Sequence, residues 1–231
     1  MDIKQYKTKI ELHAHTSPAS GCADFLPREV VRRYADVGVD GLAITNHILP
    51  EFFCYNKKAA KLWLEDYYAA AEAGERYGVK VYLGAEVRFC ENYNDYLIYG
   101  IDEDWVRRIT EYLPLGLQAY MREFGGGDSL VIQAHPFRNG MSQEPCADGT
   151  EAYNMHPHQN SRNGLAAAYA KKHNHIVTAG SDFHFEGAQG LGLVLAKSLP
   201  ADGLELAKLL RSRDYLFLLD GKIIEPYGGD K

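Results

Sequence analysis

The sequence has no excess of positive charge, and this limits the partners that the protein attracts over a distance. Its 25 lysines and arginines are outnumbered by 31 aspartates and glutamates, which gives a formal net charge of −6. Nucleic-acid backbones and anionic membrane surfaces attract proteins that carry a basic field. We therefore expect no nucleic-acid partner, although this composition still allows a local basic site.

Long apolar runs are also lacking. A helix that crosses a membrane needs about 18 or more consecutive apolar residues, and glycine, histidine or charged residues interrupt the apolar runs of this chain well before that length. The opening stretch MDIKQYKTKI has none of the apolar character of a secretory signal. These features predict a cytoplasmic protein with no membrane role.

Cysteine is scarce, and the few cysteines are widely spaced. The chain contains Cys22, Cys54, Cys90 and Cys146, with no C-x-x-C pair. This spacing indicates neither a disulfide framework nor a zinc ribbon. Reduced thiols are expected.

What the chain does have is an alternation of short apolar strands and amphipathic helices, with no linker or repeat to divide it. A single domain over residues 1–231 is therefore predicted. Strands are predicted at 9–13, 41–45, 79–87, 96–99, 130–133, 151–153, 176–179 and 215–219, and helices from Pro27, over 57–77, from Ser161 and around 204–210. About seven β-α units in one domain predict an α/β fold with a closed or nearly closed parallel barrel.

Polar residues that can bind metal ions follow five of these strands. The motifs are HAH from His13, TNH ending at His47, GAE ending at Glu86, AHP around His135 and GSDFH around Asp182. Active sites of such barrels lie where the strands end. Residues i and i+2 of a strand face the same side, so His13 and His15 can coordinate the same ion, and so can Asp182 and His184. A lone histidine is more often structural, but five motifs at one rim predict a metal site suited to zinc, manganese or iron.

The ordered motifs HAHTS, AITNH, GAEVRF, QAHPFR and TAGSDFH resemble the polymerase and histidinol phosphatase (PHP) family over residues 9–185. The resemblance implies a distorted seven-stranded, TIM-like β/α barrel that holds two or three divalent metal ions and hydrolyses phosphate esters. It also implies a ligand set. One metal would be bound by His13, His15, Glu86 and Asp182, a second by Glu86 and His135, and a third by His47 and His184.

Three positions depart from the family pattern. Cys22 stands where the family often has a histidine, and it is either a thiolate ligand or a small residue packed under a loop. Tyr96 stands where a metal-binding histidine is common, and packing in the barrel wall is favoured over a role in the site. Asn46 replaces an aspartate, and we expect its amide to orient the imidazole of His47.

The predicted mechanism uses the metals to generate the nucleophile. Divalent ions lower the pKa of bound water to about 7, so a metal-bridging hydroxide is expected to attack, with Glu86 and Asp182 acting through the metals they hold. Arg138 and Arg88 are candidates to bind the substrate phosphate. For Arg88, a pair with a surface carboxylate is an equal alternative.

Two further H-x-H pairs lie outside this ligand set. His156 and His158 are expected in a loop that lines the substrate entrance. His173 and His175 are expected at a helix end on the opposite rim, in a structural or solvated role.

The predicted function is therefore that of a phosphatase or phosphodiesterase that acts on a small phosphorylated metabolite. Two alternatives remain from the sequence. One is a C–N bond hydrolase on a related metal barrel, and the other is a degenerate PHP scaffold that binds metal without catalysis. The sequence does not indicate the oligomeric state.

Overall fold

The computed structural model describes residues 2–227, in which strands and helices alternate along the chain. Their strands are β1 (Thr8–Ala14), β2 (Gly41–Ile44), β3 (His47–Ile48), β4 (Lys80–Leu83), β5 (Ala85–Arg88), β6 (Asp95–Tyr99), β7 (Leu130–Gln133), β8 (Gly149–Asn154), β9 (Ile176–Gly180), β10 (Gly192–Ala196), β11 (Leu216–Leu219) and β12 (Lys222–Ile224). The α-helices are α1 (Pro27–Asp36), α2 (Pro50–Phe53), α3 (Ala59–Tyr77), α4 (Glu103–Arg108), α5 (Leu117–Phe124), α6 (Asn163–His173) and α7 (Gly203–Ser212). The predicted α/β class is confirmed.

The strands of this part of the chain form two sheets of six strands each. The first has the order β12-β11-β10-β1-β2-β4, and the second has the order β3-β5-β6-β7-β8-β9. Both sheets are mixed: β6 runs antiparallel to β5 and β7, and β10 runs antiparallel to β1 and β11. The expectation of uninterrupted parallel β-α units was therefore wrong at β6 and β10, and among residues 2–227 the strands do not make one closed sheet.

Two pairs of consecutive strands carry the chain from the first sheet to the second. Strand β2 leads into β3, and β4 leads into β5, so the predicted strand over 79–87 is interrupted at Gly84. The backbone pairing continues through the interruption, because Gly84 N donates to Ile44 O and Glu86 N donates to Asn46 O, both at 3.1 Å. The ends of β2 and β4 are thereby placed beside His47 and Glu86.

The ends of β1 and β9 also lie side by side. Phe183, just beyond β9, pairs with Ala14 in a parallel bridge. Phe183 N donates to His13 O at 3.1 Å, and His15 N donates to Phe183 O at 3.0 Å. This bridge brings the HAH motif of β1 next to Asp182.

Buried apolar residues fill the space between the sheets and the helices that cover them. Val30 and Tyr34 of α1 and Ala70 of α3 pack with Leu42 and Ile44 of β2. A second cluster joins α3, α4 and α5 to β5, β6 and β7. Since helices cover these strands, β1, β2, β6 and β7 are buried over most or all of their length. No helix in the described part of the chain has both the length and the apolar character needed to cross a membrane.

Local sequence signals explain several helix ends. Helix α3 ends at Gly78, whose φ of 74° suits a glycine, as the sequence predicted. Asp102 and Asp202 cap α4 and α7 by accepting hydrogen bonds from the backbone of Trp105 and Glu205. The helix predicted to open at Ser161 begins two residues later at Asn163.

Gly180, at the end of β9, sits too close to the HAH strand to accept a side chain. A Cβ atom there would lie 2.5 Å from His13 Cβ and 2.9 Å from Glu151 Oε1. We predict that Gly180→Ala lowers the free energy of unfolding by about 1–3 kcal/mol through overpacking. Denaturant unfolding measures this, with Gly164→Ala in α6 as the control, because its added Cβ meets nothing within 4 Å. Equal stability of the two variants would contradict the close approach of β9 to β1.

Candidate metal centre

Four side chains converge where β1 and β9 end, next to β5. His13 and His15 lie at the end of β1, Glu86 lies on β5, and Asp182 follows β9. The Nε2 atoms of His13 and His15 are 3.1 Å apart. Each of these nitrogens lies 3.3 to 3.5 Å from a carboxylate oxygen of Glu86 and of Asp182. All four residues are 1% exposed or less.

Hydrogen bonds at the Nδ1 atoms of His13 and His15 place a proton on Nδ1, away from the Nε2 atoms that face the cluster. His13 Nδ1 is 2.7 Å from Glu151 Oε1, and a carboxylate only accepts, so Nδ1 is the donor. Ser20 Oγ donates to Asn46 Oδ1 at 2.9 Å, so it accepts from His15 Nδ1 at 3.2 Å. In the neutral form of each ring, the Nε2 atom then presents its lone pair to the other Nε2 atom and to two carboxylates. This donor set fits a divalent cation, which imidazole and carboxylate ligands bind in this form.

Three overlapping groups of side chains have ligand atoms within 4.8 Å of one another. They consist of His13, His15 and Asp182; of His13, Glu86 and His135; and of His15, His47 and His184. Glu86 reaches two of these groups, because Oε1 lies 3.0 Å from His135 Nε2 and Oε2 lies 3.0 Å from His47 Nδ1. The structure thus brings together seven of the eight predicted ligands, and His13 and His15 each belong to two of the groups.

The buried carboxylates and imidazoles shift one another's pKa strongly. Burial raises the pKa of Glu86, but His13 and His47 outweigh it and hold this pKa well below its usual range. Asp182 is similar, since burial is outweighed by His13, by the hydrogen bond with His15 and by Arg138. Burial lowers the pKa of His13, whereas Asp182 and Glu151 raise it well above normal. Both carboxylates are therefore anionic, and His13 Nε2 takes up a proton when no cation is bound, a proton that a divalent cation would displace.

Two residues of the site have an unusual backbone. His135 has a φ of 29° and Asp182 a φ of 51°, a region that side chains other than glycine adopt rarely. Such conformations persist only where surrounding contacts impose them, and they are concentrated at functional sites. Glu151 Oε2 accepts from His135 N at 3.0 Å, and Asn154 Nδ2 donates to Asp182 Oδ2 at 3.0 Å. These bonds hold the two residues in place.

Cys22 lies beside the cluster but belongs to none of the three groups. Burial raises the pKa of its thiol, while a hydrogen bond and the charge of His47 lower it, so that the net shift is downward. The pKa of His47 rises to about 10, because burial is outweighed by Glu86 and by the bond with Cys22. A thiolate role for Cys22 stays a prediction.

The two predicted phosphate-binding arginines line the same cavity, of about 460 Å³, over the metal centre. Arg138 Nη2 is 2.5 Å from Asp182 Oδ2 and 2.7 Å from Asn154 Oδ1, and its Nε donates to Ser161. Arg88 makes two 2.8 Å bonds to the carboxylate of Asp95. Its partner is a buried carboxylate rather than the surface carboxylate considered from the sequence.

The expectation for Asn46 was wrong. Its Oδ1 accepts from Thr16 N and Ser20 Oγ, and its Nδ2 donates to Thr16 Oγ1. The amide therefore acts on the loop after β1 and, through Ser20, on His15 rather than on the imidazole of His47. Tyr96 packs against Phe89 inside the second core cluster, in the wall of the sheet.

The outer histidines divide between the two ends of the fold. His156 lines the cavity, with its ring centroid 5.5 Å from that of His184, and burial lowers its pKa to about 4. His158 stacks on Phe185. His173 is the last residue of α6, and His175 is paired with Thr150 Oγ1 at 2.9 Å, which places both away from the metal centre.

Sequence reasoning missed three polar residues that support the ligands. Glu151 bonds His13 Nδ1 and His135 N, and Asn154 bonds Glu151 and Asp182. Glu11 accepts from the backbone of Leu12, His13 and Ser181, and so ties β1 to the Asp182 turn. Glu11 is a charged residue between Ile10 and Leu12 of β1, and this position was a signal that could have revealed it, whereas the polar sequence GTEAYN of β8 gives no such signal for Glu151 or Asn154.

We predict that Glu151→Gln weakens metal binding about 10- to 100-fold, as losses of ligand-orienting partners do. An amide nitrogen there would face either His13 Nδ1 or the donors His135 N and Asn154 Nδ2, so one bond must be lost. Competition against a chromophoric chelator measures the affinity, and Glu75→Gln, on the exposed face of α3, is the matched control. Unchanged affinity with a native circular dichroism spectrum would show that Glu151 does not orient the ligands.

Comparisons with known proteins show which solved structures have a similar fold. No family model and no curated protein sequence matches the chain. A candidate metal-dependent phosphoesterase from Bifidobacterium adolescentis is 18% identical, with a TM-score of 0.52 over 87% of this chain and 95% of its own. A two-domain protein from Bacteroides vulgatus with a predicted PHP-like metal-dependent phosphoesterase is 16% identical, with a TM-score of 0.63 over 95% of this chain and 67% of its own.

An amidohydrolase from Chromobacterium violaceum, solved with bound sulfate and no metal, is 18% identical, with a TM-score of 0.51 over 77% of this chain and 88% of its own. At these identities the likeness concerns the fold. The resemblance of the sequence to the PHP family is thus confirmed at that level: the chain has a fold similar to that of PHP-like metal-dependent phosphoesterases.

Proposed function

We propose that this protein is a metal-dependent hydrolase of phosphate esters, a phosphatase or phosphodiesterase that acts on a small phosphorylated metabolite. One observation carries the proposal. His13 Nε2, His15 Nε2, Glu86 and Asp182 converge at one buried point and, with both imidazoles neutral, direct only acceptor atoms at it, which is an arrangement that divalent cations stabilise. The similarity in fold to PHP-like phosphoesterases supports it.

The three ligand groups suggest two or three bound ions, with zinc, manganese or iron suited to the imidazole and carboxylate ligands. When bound, such ions supply a water of lowered pKa as nucleophile and positive charge for the phosphoryl oxygens. Glu86 and Asp182 would hold the ions and partly neutralise their charge. Glu151 and Ser20 keep the protons of His13 and His15 on Nδ1, so that both Nε2 atoms stay available.

Arg138 is the residue best placed to bind the substrate phosphate. It lines the cavity beside Asp182, and its Nη1 has no acceptor among residues 2–227. A guanidinium with free N–H groups suits phosphate oxygens. Arg88, whose charge is balanced by Asp95, is the second candidate. In this proposal the two sheets act as a distorted barrel of the PHP type in a single cytoplasmic domain.

A C–N bond hydrolase is the second candidate, because the amidohydrolase from Chromobacterium violaceum shares the fold. The phosphoesterase is favoured, since the cavity lining contains two arginines and no lysine that could become a carboxylated ligand. Parallel assays of phosphate esters, amides and lactones separate the two candidates. A protein that binds metal but hydrolyses none of them would be the degenerate scaffold.

Metal removal tests the proposal directly. We predict that chelation abolishes hydrolysis of phosphate esters and that added zinc, manganese or iron restores it. Asp182→Asn should lower kcat/KM at least about a hundredfold, because one negative ligand is lost. Asp104→Asn, at an exposed position of α4, is the control and should match the parent. Full activity of the chelated protein would refute metal dependence.

Arg138→Ala should raise KM for phosphate esters about tenfold or more while metal content is retained. The physical reason is the loss of a charged donor to the phosphate, which affects substrate binding more than ion binding. Steady-state kinetics and elemental analysis of the same preparation give the two quantities. Arg107→Ala removes a surface arginine that pairs with Glu103 and serves as the control. An unchanged KM would remove Arg138 from the substrate site.

A further inference from the structure

An apolar cavity opens directly beside the cavity over the metal centre. It measures about 500 Å³, and its apolar walls come from Pro18, Ala19, Leu49 and Phe52. Cys22, His47 and Arg88 line both this cavity and the one over the metal centre. The two cavities therefore adjoin at these three side chains.

A second apolar cavity extends the first. It also measures about 500 Å³ and shares Pro18, Ala19 and Phe52 with the first, and its far walls include Leu26 and Leu62. We call the two cavities together the apolar trough. The trough starts at His47 and ends between the first turn of α1 and the N-terminal half of α3.

The walls of the trough are apolar side chains that face solvent. Leu26 is 56% exposed, Phe52 44% and Leu62 43%. Contiguous exposed apolar surface of this kind marks a binding site more often than a random surface does. The patch adjoins the site of the proposed reaction, so its natural occupant is part of the substrate.

Two charged groups of the trough, Arg88 and Asp66, are engaged by other residues, whereas the exposed Arg28 and Glu65 lie in its far part, beside Leu26 and Leu62. Arg88, at the metal end, is bound by Asp95. Asp66 accepts hydrogen bonds from Thr16 Oγ1 and Ala19 N. Among the described residues, the stretch between His47 and Phe52 therefore offers an apolar group contact area, and the exposed charges of Arg28 and Glu65 lie farther from the candidate metal site.

We propose that the substrate is a phosphate ester whose ester group is an alkyl chain or an aromatic ring. The phosphoryl group lies at the metal centre, and the apolar ester group lies in the trough against Leu49 and Phe52. This inference rests on the proposed function and names its substrate class.

The binding of n-alkylphosphonates tests the trough without requiring turnover. Ethylphosphonate and hexylphosphonate have the same headgroup and differ by methylenes alone, each of which contributes up to about fourfold in affinity when it is fully buried. We expect hexylphosphonate to bind the metal-loaded protein at least about tenfold more tightly than ethylphosphonate by titration calorimetry. Equal affinities of the two phosphonates would overturn the proposal.

Phe52→Ser should reduce the hexyl-to-ethyl affinity ratio at least about threefold, and Leu26→Ser supplies a second variant on another wall. Tyr55→Ser is the matched control, because Tyr55 is 88% exposed and near Phe52 in the chain but does not line the trough. If all three variants keep the parent ratio, the chain does not bind in the trough and the proposal fails. If the parent protein binds hexylphosphonate and ethylphosphonate equally and Phe52→Ser changes the oligomeric state, the exposed apolar surface is a contact between copies of the chain. That outcome also overturns the proposal.

Hydrolysis of ethyl and hexyl phosphate by the same preparations separates this inference from the proposed function. No hydrolysis of either ester, with hexylphosphonate still preferred and the preference sensitive to Phe52, would refute the phosphoesterase and retain the apolar ligand. Hydrolysis of both esters at equal kcat/KM, with equal phosphonate affinities, would retain the phosphoesterase and refute the trough.

Discussion

One electrostatic interaction is central to the site: two imidazole Nε2 atoms and two carboxylates lie close together at a buried point. The Nε2 atoms of His13 and His15 face each other at 3.1 Å, and Glu86 and Asp182 add negative charge on either side. Such a cluster is costly to bury unless positive charge compensates it. Protons on His13 and His47 and the charge of Arg138 compensate the carboxylates when no ion is bound. The convergence of two imidazoles and two carboxylates is the physical argument for a cation that would displace the proton of His13, and the proposed chemistry follows from that cation.

Hydrogen bonds on the side away from the cluster hold these candidate ligands in position. Glu151 fixes His13 and the backbone of His135, Ser20 fixes His15, and Glu11 ties β1 to the turn that carries Asp182. The left-handed φ angles of His135 and Asp182 show that these contacts hold the site in conformations the isolated chain would avoid. Rigidity of this kind keeps ligand atoms in place for metal binding.

The sequence predicted which candidate metal-binding side chains lie together better than it predicted the architecture. Strand ends followed by His13, His47, Glu86, His135 and Asp182 predict a shared rim, because hydrophobic runs mark strands reliably and the rim is where parallel strands end. Strand direction is not encoded in such runs, so the antiparallel course of β6 and the return strand β10 were missed. Partners distant in sequence, such as Glu151 for His13 or Asp95 for Arg88, depend on tertiary pairing, and a local motif does not show them.

Anomalous X-ray scattering from crystals grown with zinc or manganese tests the central claim most directly. The account predicts at least two anomalous peaks at the rim, each within about 2.0 to 2.5 Å of ligand atoms, with Glu86 between two of them. Peaks absent from this point, or side chains of His13, His15 and Asp182 that turn away from one another in the presence of the ions, would contradict it.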